Sequence, residues 1–208
     1  MKIIIFGAPG SGKGTQAMVM SGYWHLKKIS LGDILREEVK NDSGLGKEVK
    51  QYMEKGLLVP DELVSRVIEE HITSDDFILD GYPRNFHQAT TLEGIFSKKG
   101  IMIDAFIYLE VDEKAIVDRL SQRRVCKNCG TNYHLKNMPP KKNGICDTCS
   151  QELIQRKDDT SAVIKKRWEV FTAESKSILD FYQARGKLIT IDGRGNKDEV
   201  FARVKNKF

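Results

Sequence analysis

The stretch Ile3-Ile4-Ile5-Phe6-Gly7-Ala8-Pro9-Gly10-Ser11-Gly12-Lys13-Gly14-Thr15 opens the chain and decides its fold. Ile3 to Phe6 are a short apolar run of the kind that makes a buried strand. Three glycines and a proline then interrupt regular structure and free backbone N–H groups to point into one concavity. Such a loop binds anions, and the helix behind it adds the positive end of its dipole. Lys13 supplies a full charge at the β/γ-phosphate position, so the expected ligand is a nucleotide polyphosphate. Thr15-Gln16-Ala17-Met18-Val19-Met20 suits the helix that must follow. Gly14 stands where the general motif has Ser or Thr, with Thr15 one place later.

Further strands are expected at Lys28-Ile29-Ser30, Phe77 to Asp80, Ala105 to Leu109 and Leu188 to Ile191. The segments between them are long enough for crossover helices. Short apolar strands alternating with helices predict an α/β fold: a five-stranded parallel sheet flanked by helices, with ligands beyond the carboxyl ends of the strands. Two stretches break the alternation. Residues 31–60 are polar and helical, with Gly44, Gly46, Gly56 and Pro60 as expected breaks, and residues 122–158 hold all the cysteines. Both read as insertions into the core.

The 208 residues suffice for one such domain with insertions, and the net charge of +5 suits phosphorylated small molecules and nucleic acid equally. No apolar run is long enough to span a membrane. No leader segment precedes the first strand, and a cytoplasmic protein is the expectation.

Cys126-x2-Cys129-x16-Cys146-x2-Cys149 has the spacing of a tetrahedral four-thiolate zinc site. The surrounding segment has too few apolar residues to fold by burial alone, and a metal cross-link would supply what its core lacks. Four thiolates leave no open position, so such a site is structural. Four free thiols, two disulfides or a nucleic-acid-binding ribbon are the other readings of the same residues.

Asp80 ends a strand and precedes Gly81-Tyr82-Pro83-Arg84. A carboxylate beside a phosphate loop holds Mg2+ directly or through water; capping the next turn is the plainer alternative. Arg119 and Arg123 are expected on one face of a helix beginning near Glu113. Arg167 shares a helical face with Ile164 and Phe171, where a cation needs an anionic partner. For the other arginines a solvated surface position is the plainer reading. Asp158 and Asp159 could be helix N-caps. His25, His71, His87 and His134 have no partner in a recognisable frame.

Taken in order, these motifs resemble the adenylate kinase family in its long form, whose lid carries zinc. The resemblance rests on the Gly7–Thr15 loop, Ile29-Ser30-Leu31-Gly32-Asp33-Ile34-Leu35-Arg36, Asp80-Gly81-Tyr82-Pro83-Arg84 with Gln88, Asp118-Arg119 with Arg123-Arg124, and Arg156-Lys157-Asp158-Asp159 with Arg167. It covers essentially the whole chain, and the Lys13-Gly14-Thr15 spacing is the form that family uses. It implies a core of residues 1–29, 60–121 and 160–208, an AMP-binding insertion at 30–59 and a zinc-bearing lid at 122–159. The implied reaction is reversible phosphoryl transfer from MgATP to AMP, giving two ADP, with Mg2+ and a structural Zn2+ at the four cysteines.

By position, the resemblance assigns ATP phosphates to Gly10, Ser11, Gly12, Lys13, Gly14 and Thr15, with Arg119 against the ATP base. Arg36 and Arg84 would bind the AMP phosphate beside Gly81, and Gln88 the adenine of AMP. Leu31 and backbone at Leu57, Leu58 and Val59 would line that pocket. Arg123, Arg156 and Arg167 would clamp the transferring group, the last two from the AMP side, and Asp80 would serve Mg2+. Leu31 replaces the family's usual Thr, Ser150-Gln151 replaces a commoner Gly-Gly, and Ser21 to Lys28 is atypical. A monomer without nucleic-acid or membrane partners is expected. The chemistry agrees: phosphoryl transfer needs in-line positioning and charge neutralisation, and exclusion of water as a competing acceptor. The alternatives are another nucleoside monophosphate kinase such as a GTP:AMP phosphotransferase, a P-loop switch without transfer, and a zinc-ribbon nucleic-acid binder. Against the last, Tyr133 is the only aromatic residue between Cys126 and Cys149.

Overall fold

A computed structural model describes every residue except Ser74 and Lys157. Lys157, quoted among the motifs above, lies outside the described residues. Five strands, β1 (Lys2–Gly7), β2 (Lys27–Ser30), β3 (Phe77–Asp80), β4 (Ala105–Glu110) and the late strand Leu188–Asp192, form one parallel sheet. All five match the strands expected from sequence. The spatial order puts β1 at the centre, with β3 and then β2 on one side and β4 and then the late strand on the other. β1 pairs Ile5 with Asp80 and Gly7 with Leu109. The glycine loop, Asp80 and the end of β4 therefore emerge side by side at the carboxyl edge.

The strands read as continuous apolar runs because both faces are covered. Ile4, Phe6, Leu79 and Phe106 point to one face, Ile3, Ile5, Ile78 and Ile107 to the other. These are the two sides of the pleat. Helix α1 (Lys13–Trp24) and the C-terminal helix Lys197–Lys205 cover the second face through Ala17, Met20, Val200 and Val204. Helices α2 (Leu31–Lys40), α3 (Gly44–Lys55), α4 (Asp61–His71) and α5 (Phe86–Lys98) gather on the first, joined by Ile178 and Tyr182. Each fully buried Ile or Phe contributes about 1.5–3 kcal/mol relative to exposure.

Helix ends follow local chemistry. Ser43, Asn85 and Asp112 accept hydrogen bonds from backbone N–H groups at the starts of α3, α5 and α6 (Glu113–Ser121). Gly44 and Gly46 do not break structure as expected. Both lie inside α3, and a Cβ at Gly46 would run into the Glu38 carbonyl, so the glycine lets α3 pack against the end of α2.

The cysteine segment holds a second sheet that the sequence reading did not foresee. Strands β5 (Arg123–Cys126), β6 (Asn132–His134) and β7 (Leu153–Ile154) pair antiparallel in the order β6-β5-β7. This corrects the expectation for Arg119 and Arg123. α6 ends at Ser121, capped by Gln122, and Arg123 already pairs with His134 in the β5–β6 ladder. The two arginines thus leave different elements. The long helix α7 (Ser161–Ala184) returns the chain to the core, where β8 (Leu188–Asp192) and α8 (Lys197–Lys205) complete it.

Candidate active site

The glycine loop takes the conformation its residues allow. Gly10 and Gly12 have φ of 85° and 96°, in the left-handed region. A Cβ at Gly10 would come within 2.8 Å of Leu120 Cγ, so the loop is also pinned sterically against α6. Lys13 is the first residue of α1, and its Nζ donates to the Ala8 carbonyl at 3.2 Å across the loop. Ser11 Oγ is buried without a partner.

This loop forms one wall of a cleft of about 1260 Å³, counting space open to solvent. Lys13, Arg36, Arg84, Arg119, Arg123, Arg156 and Arg167 all line the cleft, and Asp33 and Asp80 are the carboxylates that face it with them. Lys28 stands on the α2 side, and Asn132, Tyr133 and His134 roof it from the small sheet. Leu31, Leu57, Leu58, Val59 and Gln88 do not line it.

The cations are held from behind. Asp159, 2% exposed, accepts two hydrogen bonds from Arg123, Nε to Oδ2 at 2.7 Å and Nη2 to Oδ1 at 2.5 Å. Arg167 donates to Asp158 Oδ2 at 3.0 Å. Asp158 and Asp159 are therefore ion-pair partners; the N-cap of α7 is Thr160. Arg123 and Arg167 are mostly buried, so the surface reading does not hold for Arg123, while the anionic partner expected for Arg167 is Asp158. Arg156 donates to Asn132 Oδ1 at 2.7 Å, while its Nε is buried without a partner among the described residues. Arg36 pairs with Asp33 at 2.5 Å, and Arg84 Nε donates to the Gly81 carbonyl at 2.8 Å. Arg119 donates to the carbonyls of Ser11 and Gly193 at 3.0 and 2.9 Å, tying the glycine loop to the loop after β8.

The balance of charge is displaced from neutrality. Burial above all, opposed by Asp80 and aided by Arg84, Arg167 and Arg123, brings the Lys13 ammonium down to about 7. Burial and the neighbouring Arg167 lower Arg84 to about 10, and burial with Arg123 and Arg36 lowers Arg156 to about 9. Each is ringed by protein even where it touches the open cleft. Cations that depress one another's charge are stable together only opposite an anion. Asp33 titrates well below the usual carboxylate range, because Arg36 and Lys28 outweigh its burial.

Asp80 is 7% exposed, receives Ser30 Oγ at 3.4 Å on Oδ2, and has no partner on Oδ1 among the described residues. A buried carboxylate oxygen left open at the mouth of a phosphate loop suits a hydrated cation. Cys126, Cys129, Cys146 and Cys149 are free thiols whose ligand atoms all lie within 4.8 Å of one another. Neighbouring Sγ atoms stand 3.3 to 3.6 Å apart. Tetrahedral thiolates at a Zn–S distance of about 2.3 Å lie about 3.8 Å apart, so the set fits a four-thiolate metal site.

Gln88 is 1% exposed. Its Oε1 accepts from the Arg84 backbone at 2.7 Å and its Nε2 donates to Asp61 at 2.7 Å. Leu31 is buried in the core, and Leu57 is exposed. The sequence reading missed Gly193, Gly195, Asn196 and Lys197, which line the cleft beyond β8. The rule that ligands sit beyond strand carboxyl ends, applied to Leu188–Asp192, finds them. His134 was set aside with the other histidines, yet it lines the cleft, its Nδ1 accepting backbone N–H groups from Lys136 and Asn137.

A phosphate loop, a second arginine station and three further arginines around one cleft point to a phosphotransferase of the P-loop class. Comparison with known proteins narrows this. The sequence model of the family "Adenylate kinase" matches residues 5–187. The adenylate kinase of Caldanaerobacter subterraneus subsp. tengcongensis is 44% identical over 209 residues, covering 99% of this chain and 95% of that protein. That of Caldicellulosiruptor bescii is 46% identical over 198 residues, 93% of this chain and 92% of that one. That of Clostridium novyi is 40% identical over 210 residues, 99% and 97%. The chain belongs to the adenylate kinase family and is an enzyme, a nucleoside monophosphate kinase. No helix among the described residues is long and apolar enough to cross a membrane.

Proposed function

We propose that the chain transfers the terminal phosphoryl group of MgATP to AMP, giving two ADP. The observation that carries this reading is the pair of cationic stations in one cleft, Lys13 with the glycine loop and Arg36 with Arg84, with Arg123, Arg156 and Arg167 lining the same space. In the proposed roles, Gly10 to Thr15 bind the ATP phosphates through backbone N–H groups and Lys13. Arg119 and the Gly193–Lys197 loop flank the ATP base. Arg36 and Arg84, beside Gly81, take the AMP phosphate. The three clamping arginines neutralise charge on the transferring group, and Asp159, Asp158 and Asn132 keep Arg123, Arg167 and Arg156 aimed. No side chain need act as general base, because the transition state is loose and positioning dominates. Asp80 would hold Mg2+, directly or through water, and the ion would supply positive charge to offset that of the phosphates.

The domain division follows: a core of 1–29, 60–121 and 160–208, an AMP-binding insertion at 30–59, and a lid at 122–159. Leu31, Leu57, Leu58, Val59 and Gln88 belong to the acceptor base pocket in this reading. Gln88 is 1% exposed here, so a base reaches its amide only when its surroundings shift. Cys126, Cys129, Cys146 and Cys149 hold a structural Zn2+, and free thiolates of this kind suit the reducing cytoplasm. The test is ADP formation from MgATP with AMP, CMP, UMP and GMP in turn. AMP is expected to be the acceptor with by far the highest kcat/KM. Equal turnover of another monophosphate, or no ADP at all, overturns the reading.

A further inference from the structure

Asp61 is the first residue of α4, immediately after the link that ends the first insertion. Its carboxylate is a hub for the start of α5. Oδ1 accepts from Gln88 Nε2 at 2.7 Å and from Asn85 Nδ2 at 3.0 Å. Oδ2 lies 3.1 Å from the same Asn85 nitrogen and 3.0 Å from His87 Nδ1. Burial works against ionisation of Asp61, but the hydrogen bonds from Gln88, Asn85 and His87 outweigh it and hold the carboxyl below its ordinary value. At neutral pH it is therefore an acceptor only.

The other end of the Gln88 amide faces a group of opposite character. Oε1 accepts the backbone N–H of Arg84 at 2.7 Å, and a backbone N–H only donates. An amide between an acceptor-only and a donor-only group has one permitted orientation. A half-turn would set nitrogen against N–H at Arg84 and oxygen against carboxylate at Asp61. Gln88 is 1% exposed, so neither conflict could be relieved by water. The lock leaves a defined remainder: one lone pair on Oε1 and one hydrogen on Nε2. Adenine presents a donor at its 6-amino group and an acceptor at N1, which complements that order. Hypoxanthine presents an acceptor at O6 and a donor at N1, the reverse.

We propose that Asp61 is a positioning residue for the acceptor nucleotide: its carboxylate fixes the order of the Gln88 amide, and so selects adenine over 6-oxopurines, while tying that amide to the Arg84 backbone. The proposal rests on the reading that Gln88 faces the acceptor base. Sites built to hydrogen-bond one edge reject the reversed edge strongly, because a wrong partner leaves buried groups unpaired.

The test compares Asp61→Asn, Gln88→Ala and the double variant, using AMP and inosine 5′-monophosphate as acceptors, at a temperature where melting curves show each variant folded. Asp61→Asn keeps the shape but gives the hub a donor of its own. It is expected to raise KM for AMP about tenfold and to lower the AMP-to-IMP ratio of kcat/KM about tenfold, with KM for ATP and kcat at saturating AMP within about threefold. Gln88→Ala is expected to do the same. In the Gln88→Ala background, Asp61→Asn is expected to add less than about twofold, since residues acting through one another are not additive. If Gln88→Ala leaves KM for AMP and the ratio unchanged, Gln88 does not face the base and the underlying reading fails. If Gln88→Ala has its effect but Asp61→Asn has none, or Asp61→Asn adds in full to the double variant, or weakens ATP equally, the positioning role is wrong while the base contact stands.

Discussion

The five-stranded core and the cysteine-bearing sheet are built from the same chain by different forces. The core buries Ile3, Ile4, Ile5, Phe77, Ile78 and Phe106 at 0 or 1% exposure between two layers of helices. Its shape is fixed by apolar area. The small sheet has a buried cluster of Cys126, Tyr133, Cys146 and Leu153, with Cys149 packed against it. Three of those five residues are cysteines. Two of its strands have three residues or fewer, too short to stand alone. The lesson concerns division of labour. The part with the large apolar core carries the phosphate loop, Asp80 and Arg84. The part with little core of its own carries Arg123 and roofs the cleft with Asn132 to His134, and elements with few buried apolar contacts open locally at low cost.

The sharpest break in this comparison comes from the core. Lys13→Ala is expected to leave the fold intact and to lower kcat by at least about 100-fold, because its charge has no substitute beside the loop. Steady-state kinetics with circular dichroism check this, and a variant keeping more than about a tenth of wild-type turnover contradicts the role. Next come Arg36→Ala and Arg84→Ala. Each is expected to weaken AMP binding by about 1.5–3 kcal/mol, with ATP binding little changed. Equal losses for both nucleotides in calorimetric titrations would deny a separate acceptor station. Cys129→Ser acts on the other region. It is expected to lower the Tm by several degrees and to leave substantial activity well below that temperature, measured by scanning calorimetry and ADP formation.

The smallest effect concerns protons. Lys13 falls to about 7 in the folded chain against an ordinary 10.5. Below about pH 7 both folded and unfolded chains carry its proton, and the burden of a buried charge on stability is complete. As pH rises from about 7 to 10.5 the folded chain loses the proton first, and that burden is relieved. Lys13→Met is therefore expected to raise the Tm of the nucleotide-free protein at neutral pH and to flatten this rise with pH. Binding of MgATP at pH 8 should take up a proton at Lys13, read as a dependence of the binding enthalpy on buffer ionisation. No uptake in wild type, or equal uptake in Lys13→Met, contradicts the assignment.

Legibility in the sequence follows the same division. The core strands were readable because parallel strands buried on both faces are unbroken apolar runs, as in Ile3 to Phe6 and Ala105 to Leu109. The glycine loop was readable because its backbone needs specific residues. The small sheet was not, because β5 reads Arg123-Arg124-Val125-Cys126, with no alternation to separate it from the end of α6. Gly46 looked like a break, since its reason for being glycine is a neighbouring carbonyl across the α2–α3 turn. The Asp61 hub was invisible because its hydrogen bond joins residues 27 apart in the chain. The partners of Arg123 lay 36 residues away, so the need for an anion was legible only where an apolar stripe exposed it, at Arg167.

We propose that burial holds the core and that a thiolate-bound metal holds the cysteine-bearing sheet. It is tested most directly by amide hydrogen exchange on the metal-loaded and chelator-stripped protein, with activity measured in parallel at low temperature. The account predicts that amides of β5, β6 and β7 lose protection on stripping, while those of β1, β3 and β4 keep theirs and activity persists. Unchanged protection in the small sheet, or loss of protection across the five-stranded core with abolished activity, would contradict it.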